Sequence, residues 1–94
     1  MSQAEKGNST AQYQVGWYYA NVNHDYSQAI DWLKKSAEKY APAQYYLGWC
    51  YYHGKGVSKD LKQAAYWYEK AAQNGDASIK QESEAMLKIC KKQM

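Results

Sequence analysis

The chain has 94 residues, enough for one small domain but too few for two lobes that enclose a deep site. Its formal net charge is +3, and all twelve basic residues are lysines, interleaved with nine carboxylates. That pattern is typical of a solvated surface and argues against nucleic-acid binding, which favours arginine. No apolar run approaches the ~20 residues of a membrane-spanning helix. We therefore expect neither a nucleic-acid nor a membrane partner.

The N-terminal segment and the cysteines indicate the compartment. The first ten residues, MSQAEKGNST, are polar and do not resemble a signal peptide, although a leader that had been removed would not be visible in this sequence. Cys50 and Cys90 form no C-x-x-C motif and lie far apart in the sequence. We therefore expect no disulfide framework, no metal site and no cofactor, and a cytoplasmic location.

The first predicted helix carries the sequence AQYQVGWYY at residues 11–19, which returns as AQYYLGWCY at residues 43–51. The Gln, Gly and Trp that the two segments share are each 32 positions apart. In the second copy, Ala43, Leu47 and Cys50 fall on one face of a helix with a period of 3.6 residues. Both segments therefore predict the first helix of a repeated unit.

A second helix is predicted in each repeat, at DYSQAIDWLKKSA (residues 25–37) and at DLKQAAYWYEKAA (residues 60–72). Asp25 and Asp60 stand just before these helices, where their carboxylates can accept hydrogen bonds from the free N–H groups of the first turn. The later helix is expected to end at Gly75, because glycine after an apolar stripe is a common helix stop. Each repeat is thus predicted to be a helix–turn–helix hairpin.

The first-helix segments are 32 positions apart, whereas the second-helix segments are 35 apart. The loop inside the hairpin is therefore three residues longer in the second repeat. Gly54 and Gly56 lie in the longer loop and are expected to have positive φ angles. Their G-K-G sequence lacks the strand, the longer glycine-rich loop and the Ser or Thr of a phosphate-binding motif. Gly16 and Gly48 recur where paired helices must approach closely.

The second repeat contains three motifs at the spacing of a known repeat family. They are A-x-x-x-L-G-x-x-Y, G-x-G-V-x-x-D and A-x-x-W-Y-x-K-A-A-x-x-G, formed here by Ala43, Leu47, Gly48, Tyr51, Gly54, Gly56, Val57, Asp60, Ala64, Trp67, Tyr68, Lys70, Ala71, Ala72 and Gly75. Residues 7–75 thereby resemble the Sel-one-like repeat (SLR) family, within the tetratricopeptide-like α-solenoids. The first repeat lacks the G-x-G-V loop, and after the second repeat Ser83 and Glu84 occupy the Leu-Gly positions.

This resemblance implies an all-α fold, a right-handed α-solenoid of two helix–turn–helix repeats plus a C-terminal helix. The chain is expected to form a single domain over residues 1–94, with repeat one at about 7–39, repeat two at about 40–75 and the terminal helix at about 76–91. The terminal helix is polar and is expected to cover the last repeat with Ile79, Met86 and Cys90. Since two repeats are fewer than the ~3 usually needed for independent stability, we also expect the chain to form a homo-oligomer or to be covered by a partner.

The aromatic residues of the first helices form the candidate binding site. One face carries Tyr13, Trp17 and Ala20 in the first repeat and Tyr45, Trp49 and Tyr52 in the second. The resemblance implies that this face lines the concave surface of the solenoid, where exposed rings would bind a protein or peptide partner. We expect His53 and the nearby Lys55 to contact carboxylates of that partner. The alternative is that the rings only pack between neighbouring first helices.

Two other functions are open beside a non-catalytic adaptor or regulator. One is a dedicated inhibitor or immunity-type protein that occludes a toxin or an enzyme. The other is a thiol enzyme that uses Cys50 and His53, which are three residues apart on one predicted helix. This pair lacks a third orienting residue and an oxyanion feature, and Cys50 lies on the predicted core face. We therefore expect the protein not to be an enzyme.

Overall fold

The computed structural model describes residues 8–93, which form five α-helices and no strand. The predicted all-α repeat fold is confirmed, while the predicted start of repeat one at residue 7 lies outside the described residues. The helices are α1 (Ser9–Asn21), α2 (Tyr26–Ser36), α3 (Ala41–His53), α4 (Leu61–Asn74) and α5 (Ala77–Gln93). α1 and α2 form the first hairpin, α3 and α4 form the second, and α5 packs mainly on α4.

Acidic side-chain caps mark the starts of α2, α4 and α5. Asp25 accepts a hydrogen bond from the backbone N–H of Gln28 at 3.2 Å, and Asp60 accepts from Lys62 at 3.0 Å, as predicted. Asp76 does the same for α5, since it accepts from the N–H of Ile79 at 3.0 Å. These three acidic caps lie at the positively polarised N-termini of their helices and help to fix where each helix begins.

Glycine permits the close approach of the paired helices. A Cβ atom built on Gly16 would lie 3.0 Å from Cγ of Leu33, and one built on Gly48 would lie 3.1 Å from the ring of Tyr68. Both distances are shorter than ordinary van der Waals contacts. The predicted role of these two glycines, to let the second helix of each hairpin lie close to the first, is therefore confirmed.

The core consists of two clusters that meet at α3. The first cluster joins α1, α2 and α3 through fully buried side chains that include Leu33 and Leu47. The second cluster joins α4 and α5 through Tyr68 and Cys90, both of which are fully buried, and the Tyr51 ring of α3 packs against both clusters. The two repeats therefore share a continuous interior, as expected for a solenoid.

The long loop of the second repeat packs against the first repeat. Gly54 and Gly56 have φ angles of 71° and 77°, so the predicted positive φ angles are confirmed. A Cβ atom on Gly56 would lie only 2.6 Å from the backbone oxygen of Tyr26 in α2 and 2.8 Å from Cγ1 of Ile30. The loop is therefore an inter-repeat contact as well as a turn.

The terminal helix begins after Asp76 and extends two residues beyond the predicted end, to Gln93. Cys90 is fully buried against α4, and Met86 packs against the same cluster. Ser83 is fully buried as well, which the sequence pattern did not indicate. In the described residues, α5 thus closes the C-terminal end of the stack.

Candidate functional site

A groove lined by aromatic rings runs between the first helices of the two repeats and reaches the start of α5. Its volume is about 430 Å³. We call it the aromatic groove, and its lining residues are Tyr13, Trp17, Asn21, Pro42, Tyr45, Tyr46, Trp49 and Ile79. Three lining residues come from α1, four from α3 and one from α5. The stacking of successive first helices therefore creates the groove, and neither repeat forms it alone.

Helical spacing brings the rings to one side. Tyr13 and Trp17 are four residues apart on α1, and Tyr45 and Trp49 are four apart on α3, so each pair lies on one face of its helix. Trp17 is 47% exposed, whereas Tyr13, Tyr45 and Trp49 are half-buried. The groove therefore presents a partly accessible apolar surface with Trp17 as its most exposed ring.

Ring contacts hold the groove wall in shape. The Tyr46 ring lies 6.3 Å from Tyr13 and 5.6 Å from Trp49, between ring centroids and in edge-to-face geometry in both cases. This is the preferred arrangement of aromatic quadrupoles. The Asn21 side-chain amide donates hydrogen bonds to the backbone oxygen of Trp17 and to the hydroxyl of Tyr46, both at 3.0 Å. α1 and α3 are thus connected across the groove by rings and by one amide.

The aromatic groove carries no formal charge. α1 and α3 contain no Asp, Glu, Lys or Arg in either of their 13-residue sequences. Burial raises the pKa of the phenols of Tyr13, Tyr45 and Tyr46, and the nearby carboxylate of Glu82 raises that of Tyr45 further. The phenols therefore stay protonated at neutral pH, and the groove offers neutral O–H and indole N–H donors beside apolar ring faces.

Of the six predicted site residues, four line the groove and two lie beyond it. Tyr13, Trp17, Tyr45 and Trp49 are brought together as the spacing indicated. Tyr52 and His53 extend the same side of α3, where the His53 ring lies 4.7 Å from Trp49 and 4.9 Å from Tyr52. The Tyr52 hydroxyl accepts a hydrogen bond from Gln93 at 2.8 Å, so α5 engages its polar end.

One residue that was placed on this face by its spacing is not accessible there. Ala20 is fully buried in the first core cluster. It follows Trp17 by three residues, but it belongs to the same core cluster as Ala29 and Ile30 of α2. The expectation that Ala20 lies on the inner surface was wrong, because a small side chain near the loop fits the core.

Four lining residues were missed by sequence reasoning: Asn21, Pro42, Tyr46 and Ile79. Tyr46 lies three residues before Trp49, so helical spacing alone contained the signal for it. Asn21 is positioned by its hydrogen bond to Tyr46, which spans 25 residues of sequence. Ile79 belongs to α5, where the repeat pattern has ended, and only the packing of α5 beside α3 brings it to the groove.

The Cys50 and His53 pair does not form a competent thiol site. Cys50 is fully buried in the first core cluster, and burial raises the pKa of its thiol to about 12. At neutral pH the thiolate that would act as nucleophile is therefore almost absent. His53 is exposed, and its ring contacts Trp49 and Tyr52.

In residues 8–93, no group of three or more His, Cys, Asp or Glu side chains is arranged to hold a metal ion. Within the same range, no helix combines the length and the apolar character that crossing a bilayer requires.

Comparison with protein-family models matches the Sel1 repeat model twice, at residues 9–40 and 41–76. The chain is 38% identical over 79 residues to the chitin synthase regulator SKT5 of Saccharomyces cerevisiae, and this match covers 78% of the chain. It is 35% identical over 81 residues to the ERAD-associated E3 ubiquitin-protein ligase component HRD3B of Arabidopsis thaliana, over 81% of the chain. The chain spans only 11% and 12% of the lengths of these two relatives.

Solved structures show the same fold. A Sel1 repeat protein from Oxalobacter formigenes superposes with a TM-score of 0.77 at 36% identity, over 92% of this chain and 65% of that protein. The protective antigen c5321 of uropathogenic Escherichia coli, which has an SLR fold, also superposes with a TM-score of 0.77, at 38% identity. That match covers 84% of this chain and 18% of the antigen.

Proposed function

Because the chain belongs to the Sel1 repeat family, we propose that it is a non-catalytic binding module, an adaptor or regulator that holds a protein or peptide partner in the aromatic groove. Relatives that share its repeats include a chitin synthase regulator and a component of a ubiquitin ligase. The observation that carries the proposal is the set of rings that both repeats contribute to one uncharged, partly exposed groove. Apolar patches of this kind on small proteins usually mark interaction sites.

The groove is suited to bind without large rearrangement. Tyrosine and tryptophan supply wide, rigid contact areas and lose little rotamer entropy on binding. The contacts of Tyr46 with Tyr13 and Trp49 already restrict these rings before a partner arrives. Because the Tyr46 hydroxyl accepts its hydrogen bond from Asn21, its own proton remains for an acceptor on the partner.

A polar side chain at one end of the aromatic groove can orient the partner. His53 is exposed beside Tyr52 and adds an imidazole ring at one end. Contacts to carboxylates there would set the direction of a bound segment more than its affinity. The proposed location is the cytoplasm, which the two free, buried cysteines support.

Comparison of Trp17→Ala with Tyr66→Ala tests the proposal. Trp17 and Tyr66 are 47% and 50% exposed, but only Trp17 lies in the groove. We expect Trp17→Ala to weaken binding of a captured partner by about 2 kcal/mol, or about 30-fold in dissociation constant. Tyr66→Ala serves as the matched control and should bind as the wild type does.

The measurement is quantitative capture from lysate with the two variants and the wild type as baits, followed by titration of the purified partner. Circular dichroism should show unchanged helix content for both variants. Trp49→Ala is less informative, because Trp49 also packs against the first core cluster and its loss lowers stability. Equal binding by Trp17→Ala and wild type would refute the proposed site.

A further inference from the structure

The side of α1 that faces away from α2 and from the groove is apolar and uncovered by the described residues. Each α1 residue has an equivalent 32 positions later in α3, which provides an internal comparison. Tyr18 is 51% exposed, whereas its equivalent Cys50 is fully buried. The same difference holds for two half-buried residues of α1 and their fully buried equivalents, the pairs Ala11/Ala43 and Val15/Leu47.

The difference has a structural cause. In α3 this side is covered by α2 of the preceding repeat, whose Ile30 and Leu33 lie in one core cluster with Leu47 and Cys50. Residues 8–93 place no helix in the corresponding position before α1. The uncovered residues follow a helical stripe with spacings of four, three and four residues. We call this stripe the end face; it consists of Ala11, Val15, Tyr18 and Val22, the last also 51% exposed.

The other end of the stack is mixed in character rather than apolar, because Ile89 is the one large apolar side chain exposed on the described part of α5, at 39%, and its neighbours are largely polar. α5 occupies the place of a third first helix, with Ser83 and Glu84 at the Leu-Gly positions of Leu47 and Gly48. With that offset, the aromatic positions Tyr45 and Tyr52 of α3 become Gln81 and Lys88 in α5, and both are exposed. A head-to-tail stack would therefore bury an apolar face against polar and charged side chains, which is unfavourable.

The end face can instead complement itself. A contact about a two-fold axis brings each surface against its own copy, so any charge on it would meet a like charge. α1 contains no Asp, Glu, Lys or Arg, so its own side chains produce no such repulsion. We propose that the end face is the contact between two copies of this chain, which form a two-fold dimer through antiparallel α1 helices.

Antiparallel pairing matches large side chains with small ones. The centre of the stripe from Ala11 to Val22 falls between Val15 and Tyr18, so the Tyr18 ring of one copy meets Val15 of the other. Val22 likewise meets Ala11. The contact places in each copy a neighbouring helix where α2 lies on α3. It does not use the groove rings Tyr13 and Tyr45, so it is independent of the proposed partner binding.

Sedimentation velocity of the full chain over roughly 1–500 µM tests the dimer, because mass action makes its population depend on concentration. We expect the wild type to dimerise and Tyr18→Lys to weaken association at least about tenfold, since two lysines would then face each other near the axis. Tyr66→Lys is the matched control, because Tyr66 is 50% exposed but lies on α4. It should dimerise as the wild type does.

Cross-linking provides a test that does not depend on a charged variant folding. Val15→Cys mixed with Tyr18→Cys should form a heterodimeric disulfide under mild oxidation, and Tyr66→Cys mixed with Tyr18→Cys should not. The native Cys50 and Cys90 are buried and do not compete. A wild type that stays monomeric over the whole range overturns the proposal. So does a dimer that Tyr18→Lys leaves intact, or one that both lysine variants weaken equally.

Discussion

Gly54 and Gly56 have nearly the same backbone conformation but different surroundings, and substitution by alanine should separate the two effects. Both have positive φ, at 71° and 77°, and placing a side chain there costs about 1 kcal/mol. At Gly54 the nearest atom to a new Cβ is the Lys59 nitrogen at 3.3 Å, so little more is added. At Gly56 the new Cβ would lie 2.6 Å from the Tyr26 oxygen, and overpacking of this kind typically costs a further 1–3 kcal/mol.

We therefore expect Gly54→Ala to lower the free energy of unfolding by about 1 kcal/mol and Gly56→Ala by about 2–4 kcal/mol. Urea denaturation followed by circular dichroism at one fixed protein concentration measures both. Asparagine tolerates positive φ, so Gly54→Asn should recover most of the loss, whereas Gly56→Asn still carries the colliding Cβ and should not. Equal losses for the two alanine variants, or recovery by asparagine at both positions, would refute the inter-repeat contact.

Two further predictions concern buried groups. The Tyr68 hydroxyl is buried without a hydrogen-bond partner among the described residues. Tyr68→Phe should therefore raise the free energy of unfolding, measured by urea denaturation, by about 1 kcal/mol. A decrease of similar size would show that the hydroxyl is hydrogen-bonded. Burial raises the pKa of Cys50 from 9.0 to about 12 and so lowers its thiolate fraction. The rate at which iodoacetamide alkylates Cys50 can be followed by peptide mass spectrometry. At pH 8 this rate should be roughly a thousandfold lower than that of free cysteine, and it should increase as the pH rises toward 12. A rate close to that of free cysteine would contradict the buried position.

The hairpins could be predicted because their signals are local and occur twice. Asp25 and Asp60 precede the second helices and cap them, and Gly16 and Gly48 mark the close approach of paired helices. In each case one residue type meets one steric or hydrogen-bonding requirement within a few positions of sequence. The repetition of each signal at a constant spacing removes most alternative interpretations.

Features that depend on contacts between repeats were harder to predict. The sequence pattern indicated that Gly56 has positive φ. Its contact with Tyr26 joins two repeats, however, and no periodic pattern in the sequence reflects that contact. Ile79 reaches the groove from a helix whose repeat pattern has ended, and Ser83 is buried at a position where the repeat has leucine. Ala20 satisfied the spacing of the aromatic face and still lies in the core. Spacing identifies a face, whereas neighbouring elements determine whether that face is accessible.

The uncharged α1 contributes to both proposed surfaces, and consecutive residues separate them. Trp17 lines the groove and Tyr18 lies on the end face, because successive helical residues project about 100° apart. Trp17→Ala should therefore impair partner binding without changing dimer formation. Tyr18→Lys should weaken the dimer without changing the binding of a partner in one groove. A two-fold axis through the end face would also place two grooves in one particle. A partner with two suitable segments would then bind the wild type more tightly than Tyr18→Lys, whereas a single-segment peptide would bind both equally.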